Sequence, residues 1–387
     1  IGVLMTLFLP IIPIIIASAF GFLIAIVSSK GKSHKFVELF FTFVVFFAVF
    51  FSFSFIRQIG NLFIQNIQNI ENFLKKYLYI IYLIKDIISN VNIISFIIFI
   101  VINIIVVYLF LLVLSKQYKK ILSKLKDEKK LNSKKEKKYV RNGIINSMLK
   151  KEVKRYISST IYVFNTAFGP ILYVLLTIYV LIFGNNAINQ VLNQGGLGDN
   201  SIFKIIILLT SFIICMTNTA CSSISLEGKN FWIVKSLPIK EMDVFKSKIL
   251  LNIIVAFPIT FICTILLYVK LKLNILECML NLVLIMVLAL CIAQFGILIN
   301  LKYPRFDYIT ETQVVKQSFS SFISTFVPMI IILIGGSIFM YFSTNITRYV
   351  VVGVIVIVTI LNIVEYLLLK TWGVKRFNNL SKSSSLW

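Results

Sequence analysis

The stretch Ser225–Ile249 reads SLEGKNFWIVKSLPIKEMDVFKSKI, and its setting decides the fold. It is polar and cationic around an aromatic centre, and apolar runs at 203–221 and 249–269 flank it. Each run has about the 20 residues a helix needs to cross a hydrocarbon core of about 30 Å. The stretch is therefore the surface connection between two membrane spans. Ser225 is placed to cap a helix with Glu227 in its first turn. Phe231, Trp232 and Val234 supply a bulky apolar patch. Leu237 stands before Pro238 and is biased away from helical backbone, so a first helix ends there. Pro238 suits the first turn of a second helix that runs on into the next span. The spacing predicts a rigid helix–break–helix in which Phe231 and Trp232 protrude, with Glu227, Gly228, Lys229, Lys235, Leu237 and Pro238 around them. Such a device can pass on a push from a soluble motor. The plainer reading is that Trp232 anchors the loop at the membrane surface.

Outward from this stretch the pattern repeats. The chain has 387 residues, of which 58% are hydrophobic, and a mean hydropathy of +0.93. Soluble domains average about 45–50% apolar residues. The excess falls in blocks that give about nine spans: 3–27, 36–56, 93–114, 162–183, 203–221, 249–269, 276–299, 318–341 and 349–370. The net charge of +24 sits in the connections. It suits membrane insertion and anionic lipid headgroups and does not mark a nucleic-acid binder.

The connections also set direction. Loops 28–35, 115–160, 222–248 and 300–317 and the tail carry the lysines and arginines, and these are alternate connections. Loops 184–202, 270–275 and 342–348 are poorer in them. The basic set is expected inside, so the C-terminus is cytoplasmic and Ile1 external. Within the external connection 57–92, apolar residues recur at helical spacing among Asn, Gln and Lys. This predicts amphipathic helices on the outer face. Lys85, Asp86 and Asn90 disfavour a span there.

Residues 116–141 are lysine-rich and poor in large apolar residues, and they read as a mobile linker. From 144 to 157 the sequence IINSMLKKEVKRYI puts Ile145, Met148, Leu149, Val153, Tyr156 and Ile157 on one face. Lys150, Lys151, Lys154 and Arg155 fall on the other, as in a helix lying on anionic headgroups. Ala19–Ile24 (AFGFLI) rhymes with Gln294–Ile299 (QFGILI), and each closes a span entering the basic side. The expected fold is an all-α polytopic membrane protein in which three spans close a first six-helix unit and a complete six-helix unit follows. The expected division is 1–114, a basic cytoplasmic linker at 115–143, and 144–387. A further three spans are expected ahead of Ile1.

The chemistry-bearing motifs are few. Gly228-Lys229 lacks the other elements of a phosphate-binding loop. One histidine and five dispersed cysteines offer no zinc, triad or disulfide pattern. No catalytic residue, cofactor site or metal ligand is expected. Asn165, Asn218, Asn252 and Gln294 are the principal amides at depth and are candidates to line a translocation path. More often such amides join helices. Scarce ionisable groups near the midplane disfavour a secondary transporter, and a non-transporting membrane scaffold stays open.

Three stretches resemble the permease subunit of type-2 ABC exporters: MLKKEVKRYISSTIYVFNTAFGP (Met148–Pro170), SLEGKNFWIVKSLPIK (Ser225–Lys240) and NLKYPRFDYITETQVVKQS (Asn300–Ser318). The likeness spans nearly the whole chain and is closest from about 144 to 320. It implies a permease in a bacterial plasma membrane. Two cytoplasmic ABC ATPase subunits would bind the ATP, and residues 225–240 would couple to them. It implies export of an unspecified cargo, for which the sparsely charged spans suggest an amphipathic or apolar substrate.

Overall fold

The computed structural model describes residues 8–28, 40, 42–44, 79–90, 92–127, 143–184 and 202–383. Among these, all regular structure is helical. The chain divides into two compact units, Ile1–Tyr139 and Val140–Trp387. In the first, α1 (Ile11–Ser28), α2 (Tyr79–Asn90) and α3 (Ile93–Asp127) are described. Leu83 and Ile87 of α2 pack with Phe96 and Phe99 of α3. At the turn between them Asn92 accepts from the Ile94 amide at 3.0 Å and donates to Asp86 at 3.2 Å.

Of the proposed external amphipathic helices, the 12 residues Tyr79–Asn90 are described, and they are helical. The rest of the proposed external helices, 57–78, lies outside the described residues, as does nearly all of the proposed span 36–56. One expectation is corrected. The basic linker does not begin at 115, because α3 is a continuous helix of 35 residues to Asp127. Its lysines are good helix formers, and an apolar segment ahead of them supplies the nucleated turns. Residues 128–142 lie outside the described residues.

In the second unit, α4 (Ile144–Ser158) leads into α5 (Thr160–Phe183) and α6 (Ile202–Met216). Two 3₁₀ turns, Ala220–Ser222 and Ser225–Asn230, and the short α7 (Phe231–Ser236) make up the decisive stretch. Then come α8 (Glu241–Lys270), α9 (Ile275–Lys302), α10 (Glu311–Val315), α11 (Phe319–Met340) and α12 (Thr344–Leu368). A π-turn at Leu369–Gly373 joins α12 to α13 (Val374–Ser383). Seven helical stretches among the described residues are long and apolar enough to cross a membrane. They fall on seven of the nine expected spans. The protein is a polytopic all-α membrane protein.

α9 is the central helix and packs against α6, α8, α11 and α12. Its Ala289, Ala293 and Gly296 are buried and small, which lets neighbouring backbones approach where there is little hydrophobic drive to do so. The need is tightest at Gly296, where a Cβ would stand 2.6 Å from Asn218 Oδ1. Polar pairs tie the helices across the bundle. Tyr173 of α5 meets Thr264 of α8 at 3.0 Å, and Thr210 of α6 donates to Asn281 of α9 at 3.0 Å. Lys204, in the first turn of α6, donates to the Met340 and Phe342 carbonyls at 3.1 and 2.5 Å. It thus satisfies carbonyls that the end of α11 leaves open.

Candidate functional site

α4 is amphipathic, but its charge does not divide as the spacing predicts. Met148, Glu152 and Tyr156, one turn apart, face inward and are buried. Lys150, Lys154 and Ile157 are exposed. Lys151 and Arg155 turn toward the protein and grip Glu227, which corrects the expected all-basic outer face. Lys151 Nζ is 3.0 Å from both Glu227 oxygens, and Arg155 Nη2 is 2.5 Å from Oε2. Lys248, buried near the start of α8, reaches Glu227 Oε1 at 3.1 Å, Glu152 Oε1 at 2.9 Å and the Ser223 carbonyl at 2.8 Å. Arg155 Nη1 lies 3.5 Å from Glu152 Oε2.

Three cations and two carboxylates thus share one buried cluster at the junction of α4, α8 and the 3₁₀ turns. Isolated charges would be expelled from such a place, and mutual pairing is what permits them. Burial lowers the Lys151 pKa despite the attraction of Glu227, and the nearby Lys248 and Arg155 add to that. Burial opposes the charge on Arg155 too, but its bond to Glu227 and the charges of Glu152 and Glu227 prevail and raise its pKa.

The backbone from Thr217 to Gly228 is buried throughout and irregular, so side chains must supply its hydrogen bonds. Asn252 Oδ1 accepts from the Thr219 amide at 2.7 Å. Asn218 Oδ1 accepts from the Cys221 amide at 3.1 Å. Asn300 Oδ1 accepts from the Ile224 and Ser225 amides at 2.9 and 3.0 Å. Ser225 is not a helix cap as expected. Its hydroxyl accepts from Asn300 Nδ2 and from the Arg305 amide at 2.8 and 2.9 Å, drawing the loop after α9 onto the segment. Gly228 takes φ 55° and ψ −138°, a conformation open to glycine. The Tyr308 ring closes over it, and the Tyr308 hydroxyl donates to the Leu226 carbonyl at 3.1 Å.

Beyond Gly228 the predicted pair of aromatics splits. Phe231 is 7% exposed and stacks within 4.9 Å of Phe306 and 5.0 Å of Phe377. Trp232 is 65% exposed. Only Trp232 protrudes, with Ile233, Leu237 and Pro238 exposed beside it and Lys229 exposed at the edge. Leu237 is extended, as its position before proline requires. Pro238 does not open the second helix. Lys240 is also extended, and α8 starts at Glu241. Lys235 is half-buried and donates to the Asn378 carbonyl of α13 at 2.7 Å.

The four candidate path amides divide as well. Asn218 and Asn252 are buried and spend their groups on backbone, Asn218 also donating to Ser324 O at 3.3 Å and Asn252 to Ala289 O at 3.3 Å. Asn165 is half-buried on α5. Gln294 is buried on α9, and its Oε1 has no hydrogen-bond partner among the described residues. Glu152, Lys248, Asn300, Tyr308 and Phe377 are at the centre of the site and are not singled out by the sequence reasoning above. The one available signal was Lys248, a lysine set against the start of a long apolar run.

This bundle of apolar helices with a polar, ion-locked segment at one end defines a multi-pass membrane protein. Residues 1–369 match the family described as "Membrane protein of 12 TMs", and the chain belongs to it. No curated protein and no solved structure matches the chain.

Proposed function

We propose that the chain is the membrane subunit of an ATP-driven exporter, with ATP bound and hydrolysed on separate cytoplasmic ATPase subunits. The observation that carries the reading is the exposure of Trp232 on a segment whose other side is locked. Glu227 bonds it to α4 and α8, Phe231 packs it on Phe306 and Phe377, and the peptide chain itself continues into α8. A partner pressing on Trp232 would move α4 and α8 together instead of bending a loop. The resemblance noted above for 225–240 supports the same assignment, and the family description fits two halves of six spans.

An apolar cargo suits the interior. A cavity of about 280 Å³ lies between α6, α9, α11 and α12, with Ser211 as the polar side chain among its apolar lining. The path amides under this reading are Asn165 and Gln294, which keep polar atoms unspent by the helix contacts described.

The test is reconstitution. The full chain in vesicles, with and without a purified ABC ATPase partner, is assayed for ATP-dependent efflux of fluorescent amphipathic probes. Efflux that requires both components supports the reading. Gradient-driven movement without the ATPase would make the chain a secondary transporter. No movement in either case, with normal insertion, would favour a scaffold.

A further inference from the structure

Glu365 lies on α12, one turn after Asn362, on the side that meets α9. Asn362 Nδ2 donates at 3.0 Å to the Val287 carbonyl of α9 and at 3.0 Å to the Val358 carbonyl of its own helix. Cys291, one turn beyond Val287 on α9, is a titratable side chain that interacts electrostatically with the Glu365 carboxyl. Two oxygens are then left over. Asn362 Oδ1 and Glu365 Oε2 are both buried, and neither has a hydrogen-bond partner among the described residues.

The titratable group facing Glu365 from α9 is the Cys291 thiol. The charged residues of α9, Glu277 and Lys302, sit in its first and last turns. On α12 and the π-turn after it, Tyr366 and Lys370 are exposed, and no ion pair to Glu365 occurs among the described residues. An ionised carboxylate without a cation in apolar surroundings is strongly disfavoured, and such a group neutralises by taking a proton. A thiol is too weak a donor to replace a counter-charge.

We propose that Glu365, with Asn362 and Cys291 around it, is a proton-binding site within the membrane part, and that its occupancy controls how α12 packs on α9. A proton from water binds Glu365 Oε2, and the neutral acid lies against α9. Its loss leaves an unpaired charge between the two helices and loosens them at this end. The site needs no ATPase and does not rest on the exporter reading.

The test uses the full chain in phosphatidylcholine vesicles, treated with the apolar reagent N,N′-dicyclohexylcarbodiimide. A protonated carboxyl gives its proton to a reagent nitrogen, its oxygen bonds the central carbon, and rearrangement leaves a stable acylurea that mass spectrometry locates. Glu365 should be modified near neutral pH, and a charged, water-soluble carbodiimide should not modify it. The rate should fall roughly tenfold per pH unit above the midpoint. Infrared difference spectra between low and high pH should show a carboxylic-acid carbonyl band that Glu365→Gln removes. Absence of labelling, a rate independent of pH, or protection by sodium at constant pH would each overturn the proposal, the last by making the site one for a metal cation.

Discussion

Glu227 binds three cations with two oxygens. Its removal would leave Lys151, Arg155 and Lys248 facing one another with Glu152 alone to balance them. Breaking a buried ion pair by deleting one partner typically costs about 3–5 kcal/mol. Glu227→Gln, which keeps the shape, should therefore lower the unfolding temperature of the detergent-solubilised protein markedly. Removing charge in balance should hurt less: Glu152→Gln with Lys248→Met should be more stable than either change alone. Additive losses in that double-mutant cycle would show that the cluster is not an energetic unit. Glu227 was legible as a position of interest because it stands in the first turn after Ser225, within the polar segment around Phe231 and Trp232. Its partners were not legible, since they lie 76, 72 and 21 positions away in sequence. Helical spacing predicts which face a residue occupies, but not what a distant loop brings to that face.

α4 combines two functions on neighbouring faces, and its four basic residues separate accordingly. Changing the outward pair Lys150 and Lys154 to Gln should reduce attraction to anionic lipid by roughly 1 kcal/mol per charge and leave the fold intact, as flotation with anionic and neutral vesicles would reveal. Changing the inward pair Lys151 and Arg155 should instead reduce the yield of folded protein in any lipid. Equal behaviour of the two pairs would return α4 to a uniformly basic surface helix.

The short α7 divides in the same way. Phe231→Ala opens a void between Phe306 and Phe377, and truncating a buried aromatic costs about 3–5 kcal/mol. Trp232→Ala removes an exposed side chain and should leave thermal stability nearly unchanged. Under the exporter reading, Trp232→Ala should nonetheless weaken capture of the ATPase at least tenfold, as a central interface aromatic can contribute 2 kcal/mol or more. Two adjacent aromatics look alike in sequence. The turn at Gly228 and the arrival of Phe377 from α13 decide which one is buried, and both are tertiary facts.

At the scale of the whole molecule, hydropathy told most of the story. Seven of the expected spans coincide with long apolar helices because the bilayer fixes their length and allows little else to cross it. The end of α3 was misjudged because a run of lysines reads equally as a solvated linker and as a solvated helix. Orientation is open to direct measurement. Four of the five cysteines are buried and Cys291 is half-buried, so an impermeant thiol reagent should give a low background. Asn230→Cys at the ion-locked end and Tyr341→Cys at the far end of α11, where Tyr341 is 92% exposed, should label from opposite sides of sealed vesicles. Labelling of both from one side would refute the alternation of basic loops as a guide to this chain.

The irregular backbone between α6 and α7 has a kinetic consequence. A stretch without α-helix is ordinarily the first to trade its amide hydrogens with solvent, because opening it disturbs little else. Here the amides of Thr219, Cys221, Ile224 and Ser225 are held by Asn252 of α8, Asn300 of α9 and Asn218 of the stretch itself. To release any of them, Asn252 on α8 or Asn300 on α9 must let go, or Asn218 must lose its seat against Gly296. Deuterium uptake at 217–226 should accordingly be as slow as in the middle of α9, and Asn300→Ala should speed it in the segment while α11 stays slow. Rapid uptake in the unmodified protein would mean that these asparagine tethers open on their own, independently of the helices against which they sit.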